Sequence, residues 1–240
     1  MTEILLIRHA VNDYVKTGRL AGWTPGVHLN EDGRAQADTL AQRLDQTPIH
    51  ALYSSPLDRA IETAEPLARA KGLAIRVVDG VGEVRYGDWT GGELKELAKQ
   101  DLWRGVQHYP SVTRFPNGET MAEMQARAVA QVETICAAHP EDVVAVVSHG
   151  DVIKAIIAHY IGLHLDLFQR IDVAPASLTW IHLGQGGPRL VVLNETGGVP
   201  RLPERKTEPA AETATDAAEA AVDARANGSI APTASAEKRE

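Results

Sequence analysis

Arg8-His9 near the start of the chain and Ser148-His149-Gly150 far downstream share one kind of chemistry, with Arg59 lying a helical turn behind Ser54-Ser55. Arginine pairs bidentately with phosphate oxygens through its planar fork. A histidine set beside two such cations is pushed toward its neutral form, and a neutral imidazole nitrogen is a competent nucleophile toward phosphorus. The set still needs a proton for the departing oxygen and more positive charge on the equatorial oxygens. His149 could supply the charge, and one of the 32 Asp and Glu residues the proton. Taken singly, each piece has a plainer reading: a strand-end salt bridge, a satisfied structural histidine, a solvated helix arginine. Their weight comes from where the elements must put them.

Short apolar runs alternate with helical patterns, as in a three-layer α/β/α fold with a mostly parallel sheet. Strands are expected at 4–7, 51–53, 74–78 and 143–147, and helices near 31–44 and 56–71. Residues 178–183 and 190–193 read as a late hairpin turning across Gly184–Gly187. Open α/β sheets bind ligands beyond the carboxyl ends of their strands, so parallel strands would carry both arginines and both histidines to one edge. Two helix starts are marked. Ser55-Pro56-Leu57-Asp58 reads as a capping serine before a proline at the first helical position, and Thr120-Met121-Ala122-Glu123 as a capping box.

Composition bounds the rest. The 240 residues carry a net charge of −8, which gives no bulk attraction to nucleic acid or to an anionic membrane. No run approaches the length of a membrane helix, and no signal peptide is read at the start. A lone cysteine, Cys136, leaves no intramolecular disulfide, and a reducing cytoplasm is the simplest compartment. The nine histidines show no H-x-x-x-H or H-x-H spacing with nearby acids, so no metal is expected. From Pro203 the chain turns to Ala, Glu, Thr, Asp and Pro without an aromatic residue, the composition of a disordered tail. One domain over 1–202 and a tail over 203–240 are therefore expected, with any partner role of the tail left open.

Five motifs in order carry a resemblance: Arg8-His9-Ala10, SSPLDRAIETA (54–64), GEVRYGDWTG (82–91), FPNGET (115–120) and SHG (148–150). Together they resemble the histidine phosphatase superfamily, also called phosphoglycerate mutase-like. LAGWTPGVHL (20–29) and SHGDVIKAI (148–156) are most similar to its actinobacterial-type phosphatases. The resemblance implies that His9 is the phosphorylated nucleophile, that Arg8, Arg59 and His149 hold the phosphoryl group, and that Glu83 is the proton donor. It also implies that Asn12, Ala21, Gly22, Tyr86, Gly150 and Asp151 face the substrate, and that the enzyme needs no cofactor. Members of the superfamily are often homodimers.

The chain departs from the family pattern in three places. Ala10 replaces a glycine, and Val15 replaces an asparagine that would contact phosphate. The segment after Glu83 is short and lacks the paired arginines with which the mutases hold a substrate carboxylate. Its Trp89, Trp103, His108, Tyr109 and Arg114 are mostly expected in the core, with Trp103 and Arg114 as a lid that chooses the substrate. The sequence thus reads as a metal-independent phosphomonoesterase that acts on a small phosphorylated metabolite through a phosphohistidine. A mutase and a non-catalytic phosphate-binding protein are the alternatives.

Overall fold

The structure, a computed structural model, describes residues 1–197, so the expected tail over 203–240 lies outside the described residues. In chain order the elements are β1 (Thr2–Arg8), α1 (Asp13–Lys16), α2 (Glu31–Arg43), β2 (Ala51–Ser54), α3 (Asp58–Lys71) and β3 (Ile75–Val77). Then follow α4 (Leu94–Leu97), α5 (Asp101–His108), α6 (Met121–Ala138), β4 (Val143–Ser148), α7 (Gly150–Tyr160), β5 (Leu178–Gly184) and β6 (Gly187–Glu195), with short 3₁₀ turns between them. The six strands form one sheet in the order β3-β2-β4-β1-β5-β6. β3, β2, β4 and β1 run parallel, while β5 lies antiparallel to β1 and β6 to β5.

Successive side chains of a strand point to opposite faces, and β1 shows why its run is continuously apolar. Ile4 and Leu6 pack with Val144 and Val146 under α6 and α7, through Met121, Met124, Val132, Ile153 and Ile156. Leu5 and Ile7 pack with Leu52, Ala145 and Val147 under α2 and α3, through Leu40, Ala60, Ala64 and Leu67. Each fully buried Leu, Ile or Val contributes roughly 1.5–3 kcal/mol, so helices on both faces are what hold this sheet. No helix of the described residues is long and apolar enough to cross a membrane.

The expected strands and helices are present, with shifted ends. β3, an exposed edge strand, keeps three residues, and β6 extends well beyond 190–193 because it pairs with the whole of β5. The capping box at Thr120 is complete, with hydrogen bonds in both directions to Glu123. The serine cap is not. α3 starts at Asp58 with Leu57 at its cap position and no side-chain cap; the Ser55 hydroxyl is shared between His149 Nε2 at 2.7 Å and Leu57 N–H at 3.4 Å.

Candidate active site

Register brings the strand ends level. Arg8 lies opposite Ser148, and Ser54 opposite Val147. Beyond the ladder the pairing continues, with His9 N–H donating to the Ser148 carbonyl and Ser55 N–H to the Val147 carbonyl, each at 2.9 Å. The three post-strand segments therefore stand side by side, and the His9 and His149 rings lie 5.2 Å apart.

Hydrogen bonds assign the proton on each ring. His9 Nδ1 lies 2.8 Å from its neighbour's carbonyl, on Ala10, an acceptor only, so Nδ1 carries the proton and Nε2 the lone pair. Arg59 Nε points at that lone pair from 3.3 Å. Arg59 is 1% exposed, and its Nη2 donates to the Gly22 carbonyl at 2.9 Å and to His149 Nδ1 at 3.3 Å. His149 consequently carries its proton on Nε2, toward Ser55. Burial, then Arg59 and Arg8, hold His9 well below the usual histidine range. Burial and Arg59 do the same to His149. The expected positive charge on His149 is thus missing from the free site, since the arginines that attract an anion also repel a proton.

Arg8 Nη1 donates to the Val173 carbonyl at 2.6 Å, which ties the guanidinium to the chain just before β5. Gly150 gives it room, since a Cβ there would sit 3.3 Å from Arg8 Cζ. Asn12 caps α1 by accepting from Val15 N–H through Oδ1. Among the described residues, three buried donors of this cleft remain without a protein acceptor: Arg8 Nε, Asn12 Nδ2 and Arg59 Nη1. A buried unmet donor costs about 1–3 kcal/mol, so three on the residues of one cleft describe a seat for a polyvalent anion. At a hundred times its dissociation constant, inorganic phosphate is expected to stabilise the fold by about 2.7 kcal/mol. The measurement is a rise in Tm that Arg59→Met loses; no rise at any phosphate concentration would contradict the anion seat.

Glu83 reaches the same place from the loop after β3. Its Oε2 lies 3.7 Å from His149 Nδ1 and 3.9 Å from Arg59 Nη2, and its Oε1 accepts from Val84 N–H. Burial raises its pKa from 4.5 to about 7, with Arg59 opposing the shift and Asp151 adding to it. Its main chain is fixed from behind. Arg127, on α6, donates to the carbonyls of Gly80, Gly82 and Glu83 and pairs with Glu119, which also accepts from Arg85 N–H. Trp23 Nε1 donates to the Glu83 carbonyl as well. Sequence reasoning missed Arg127 and Trp23, because a side chain that serves carbonyls leaves no motif.

The cleft, about 300 Å³, is lined by Arg8, His9, Arg59 and Glu83 at one end. Asn12, Ala21, Tyr86, Gly150 and Asp151 line it, and Gly22 contributes its carbonyl to Arg59. Tyr86 OH donates to Asp151 Oδ2 at 3.2 Å, and burial with the two nearby carboxyls keeps its phenol far above the usual range. Trp103 lines the cleft and stacks on the buried Trp89. Arg114 does not line it: this exposed residue pairs with Glu123 at 2.6 Å, so half of the expected lid is a surface ion pair. Lys154, Gln107 and Gln169 line the outer part and were not foreseen.

Spacing along the chain offered no metal ligands, yet His9, Glu83 and His149 bring one ligand atom each within 4.8 Å of one another. Both histidine lone pairs already accept from Arg59, and a dication there would face that guanidinium directly. The donor set fits an anion better than a cation.

Three known proteins extend this reading. A profile of the histidine phosphatase superfamily (branch 1) matches residues 4–196. Phosphoserine phosphatase 1 of Hydrogenobacter thermophilus is 32% identical over 199 residues, covering 82% of this chain and 93% of that one. A mutant phosphoserine phosphatase of Entamoeba histolytica, solved with phosphoserine, superposes with a TM-score of 0.76 at 25% identity, over 82% of this chain and 98% of that one. The mycobacterial glucosyl-3-phosphoglycerate phosphatase, solved with VO3, gives 0.74 at 28% identity, over 80% and 98%. A profile that spans the sheet, both arginines and both histidines makes this chain a member of the histidine phosphatase superfamily, a hydrolase of phosphoric monoesters.

Proposed function

We propose that this phosphomonoesterase hydrolyses small phosphorylated metabolites in two steps, with His9 carrying the phosphoryl group between them. The observation that carries this is the His9 ring itself: Nδ1–H is tied to the Ala10 carbonyl, and Nε2 presents a lone pair beside donors that lack an acceptor. His9 Nε2 attacks phosphorus, the bond to the ester oxygen breaks, and the Glu83 carboxyl gives its proton to the leaving alcohol. Arg8, Arg59 and Asn12 take the charge of the equatorial oxygens. The approaching dianion also favours a proton on His149, which then donates where it previously accepted. The Glu83 carboxylate next removes a proton from water, whose oxygen attacks phosphorus as the P–N bond breaks. Phosphate, neutral His9 and protonated Glu83 are restored. The lone cysteine, half-buried and with a pKa pushed up to about 11, suits a reducing cytoplasm.

The named substrates of the relatives, phosphoserine and glucosyl-3-phosphoglycerate, support a small metabolite as substrate. Turnover in excess chelator, quenched in alkali, should leave one phosphoryl group on His9 and free phosphate in solution. Turnover without any His9 adduct would sink the covalent route. Isomerisation of phosphoglycerate in place of phosphate release would make the chain a mutase.

A further inference from the structure

The two ends of the cleft are finished differently. At the phosphoryl end, donors lack acceptors. At the outer end the cations are engaged: Lys154 Nζ donates to Gln169 Oε1 at 3.0 Å and lies 3.8 Å from Asp151. Arg19 gives both Nε and Nη2 to the Gly91 carbonyl. A carboxylate on the leaving group would meet cations that already have their acceptors. Within the cleft, uncharged amides are what remain for a ligand; two cations without an ion pair among the described residues, Arg104 and Arg170, stand in the adjoining groove. Gln107 has no side-chain hydrogen bond among the described residues, and Gln169, with Oε1 occupied by Lys154, has no acceptor for its NH₂ among them.

The same two glutamines also line a second groove of about 600 Å³, together with His108, Tyr109, Arg104 and Arg170. The cleft alone, about 300 Å³, is at the small end of the roughly 300–1,000 Å³ that ligand sites span. Tyr109 is 52% exposed, with its ring against that of His108, and Trp103 stands on the cleft side. Aromatic faces with free amides between them match a sugar, whose rings show C–H faces and hydroxyl rims.

We propose that cleft and groove form one extended site for the phosphomonoester of a polyhydroxylated body larger than a single ring, that is, a phosphorylated glycoside. The phosphate sits at Arg8 and Arg59, hydroxyls bond Gln107 and Gln169, and the distal ring lies on Tyr109. This rests on the phosphomonoesterase reading and names its substrate class. Binding of the remote ring is available to the transition state, so it raises kcat/KM.

Phosphate release from glycerol 3-phosphate, glucose 6-phosphate and a panel of disaccharide monophosphates tests it. The best disaccharide monophosphate is expected to exceed glycerol 3-phosphate at least tenfold in kcat/KM. Gln107→Leu and Tyr109→Ala should each shrink that ratio at least fivefold; Tyr109 is exposed enough for its loss to leave the fold intact. A flat series, or a gain that survives both variants, overturns the extended site. A tenfold preference for 3-phosphoglycerate over glycerol 3-phosphate overturns it too, by revealing a carboxylate seat. If no member releases phosphate and no His9 adduct forms, the phosphatase reading itself fails.

Discussion

Replacing His9 with alanine is expected to lower kcat/KM on every phosphomonoester by roughly 10⁴–10⁶-fold, the size seen when a covalent nucleophile is removed. The loss should be one of chemistry and not of binding. Arg8, Arg59 and Asn12 keep their places, because each is tied to main chain or to neighbours other than His9: Val173, Gly22 and Val15. Inorganic phosphate should therefore still raise the Tm of His9→Ala. What activity remains would come from water attacking in the field of the arginines. Activity at the wild-type level would end the covalent mechanism, and loss of the phosphate-induced rise would make His9 a binding group.

Glu83→Gln should separate the two steps. With an alkyl monoester the leaving alkoxide needs a proton, and the first step should slow by about 10²–10⁴-fold. With an aryl phosphate the leaving group needs little help, so that step stays fast while hydrolysis of the phosphohistidine stalls. A burst of phenol followed by a slow steady state is expected; a burst-free time course at the wild-type rate would remove Glu83 from the chemistry. In the wild type, kcat/KM on alkyl monoesters should fall as pH rises past about 7, where the raised carboxyl ionises, and that limb should vanish in the variant.

Stability gives the same residue a second readout. A carboxyl whose folded pKa lies above its unfolded value disfavours the fold as pH rises. The penalty begins near 4.5, where the unfolded chain ionises, and is complete near 7, where the folded one does. At pH 8 Glu83→Gln should therefore be more stable than wild type by up to about 3 kcal/mol, with little difference at pH 4. Equal unfolding midpoints at both pH values would mean that Glu83 is not held above its ordinary range.

The sequence carried the catalytic half of the site further than the outer half, for physical reasons. Parallel strands leave continuous apolar runs, and the residues that follow them must meet at one edge, so Arg8, His9, Ser55, Arg59 and His149 could be placed by topology. Glu83 hangs from a loop, where no periodicity speaks for it, and only the family pattern picked it out. Ser55-Pro56 looked like a helix cap because cap residues and hydrogen-bond partners for histidine are the same residue types; only the fold shows which donor the hydroxyl serves. Arg127 sits 44 residues from the carbonyl of Glu83 that it holds, in a helix where it reads as one more solvated cation. Lys154 and Gln169 looked unremarkable for a like reason, being ordinary polar residues until α7 and the turn after it bring them together.

The level ends of β1, β4 and β2 have a consequence for redesign. Everything that handles phosphorus hangs from those ends and the loop after β3, and it is cemented there by main-chain pairing and by Arg127. Most of what meets the rest of the substrate comes from α5, the turn after it and α7 with the 3₁₀ turn that follows. α5 and its surroundings are anchored by Trp89, Leu97, Val106 and Phe115, in the same core that packs against β1 and β4. Reaction and recognition thus come mostly from different stretches of chain that share one core, so a replaced α5 segment must keep Trp89 and Phe115, which pack beside Tyr86, to leave the atoms that move the phosphate in place.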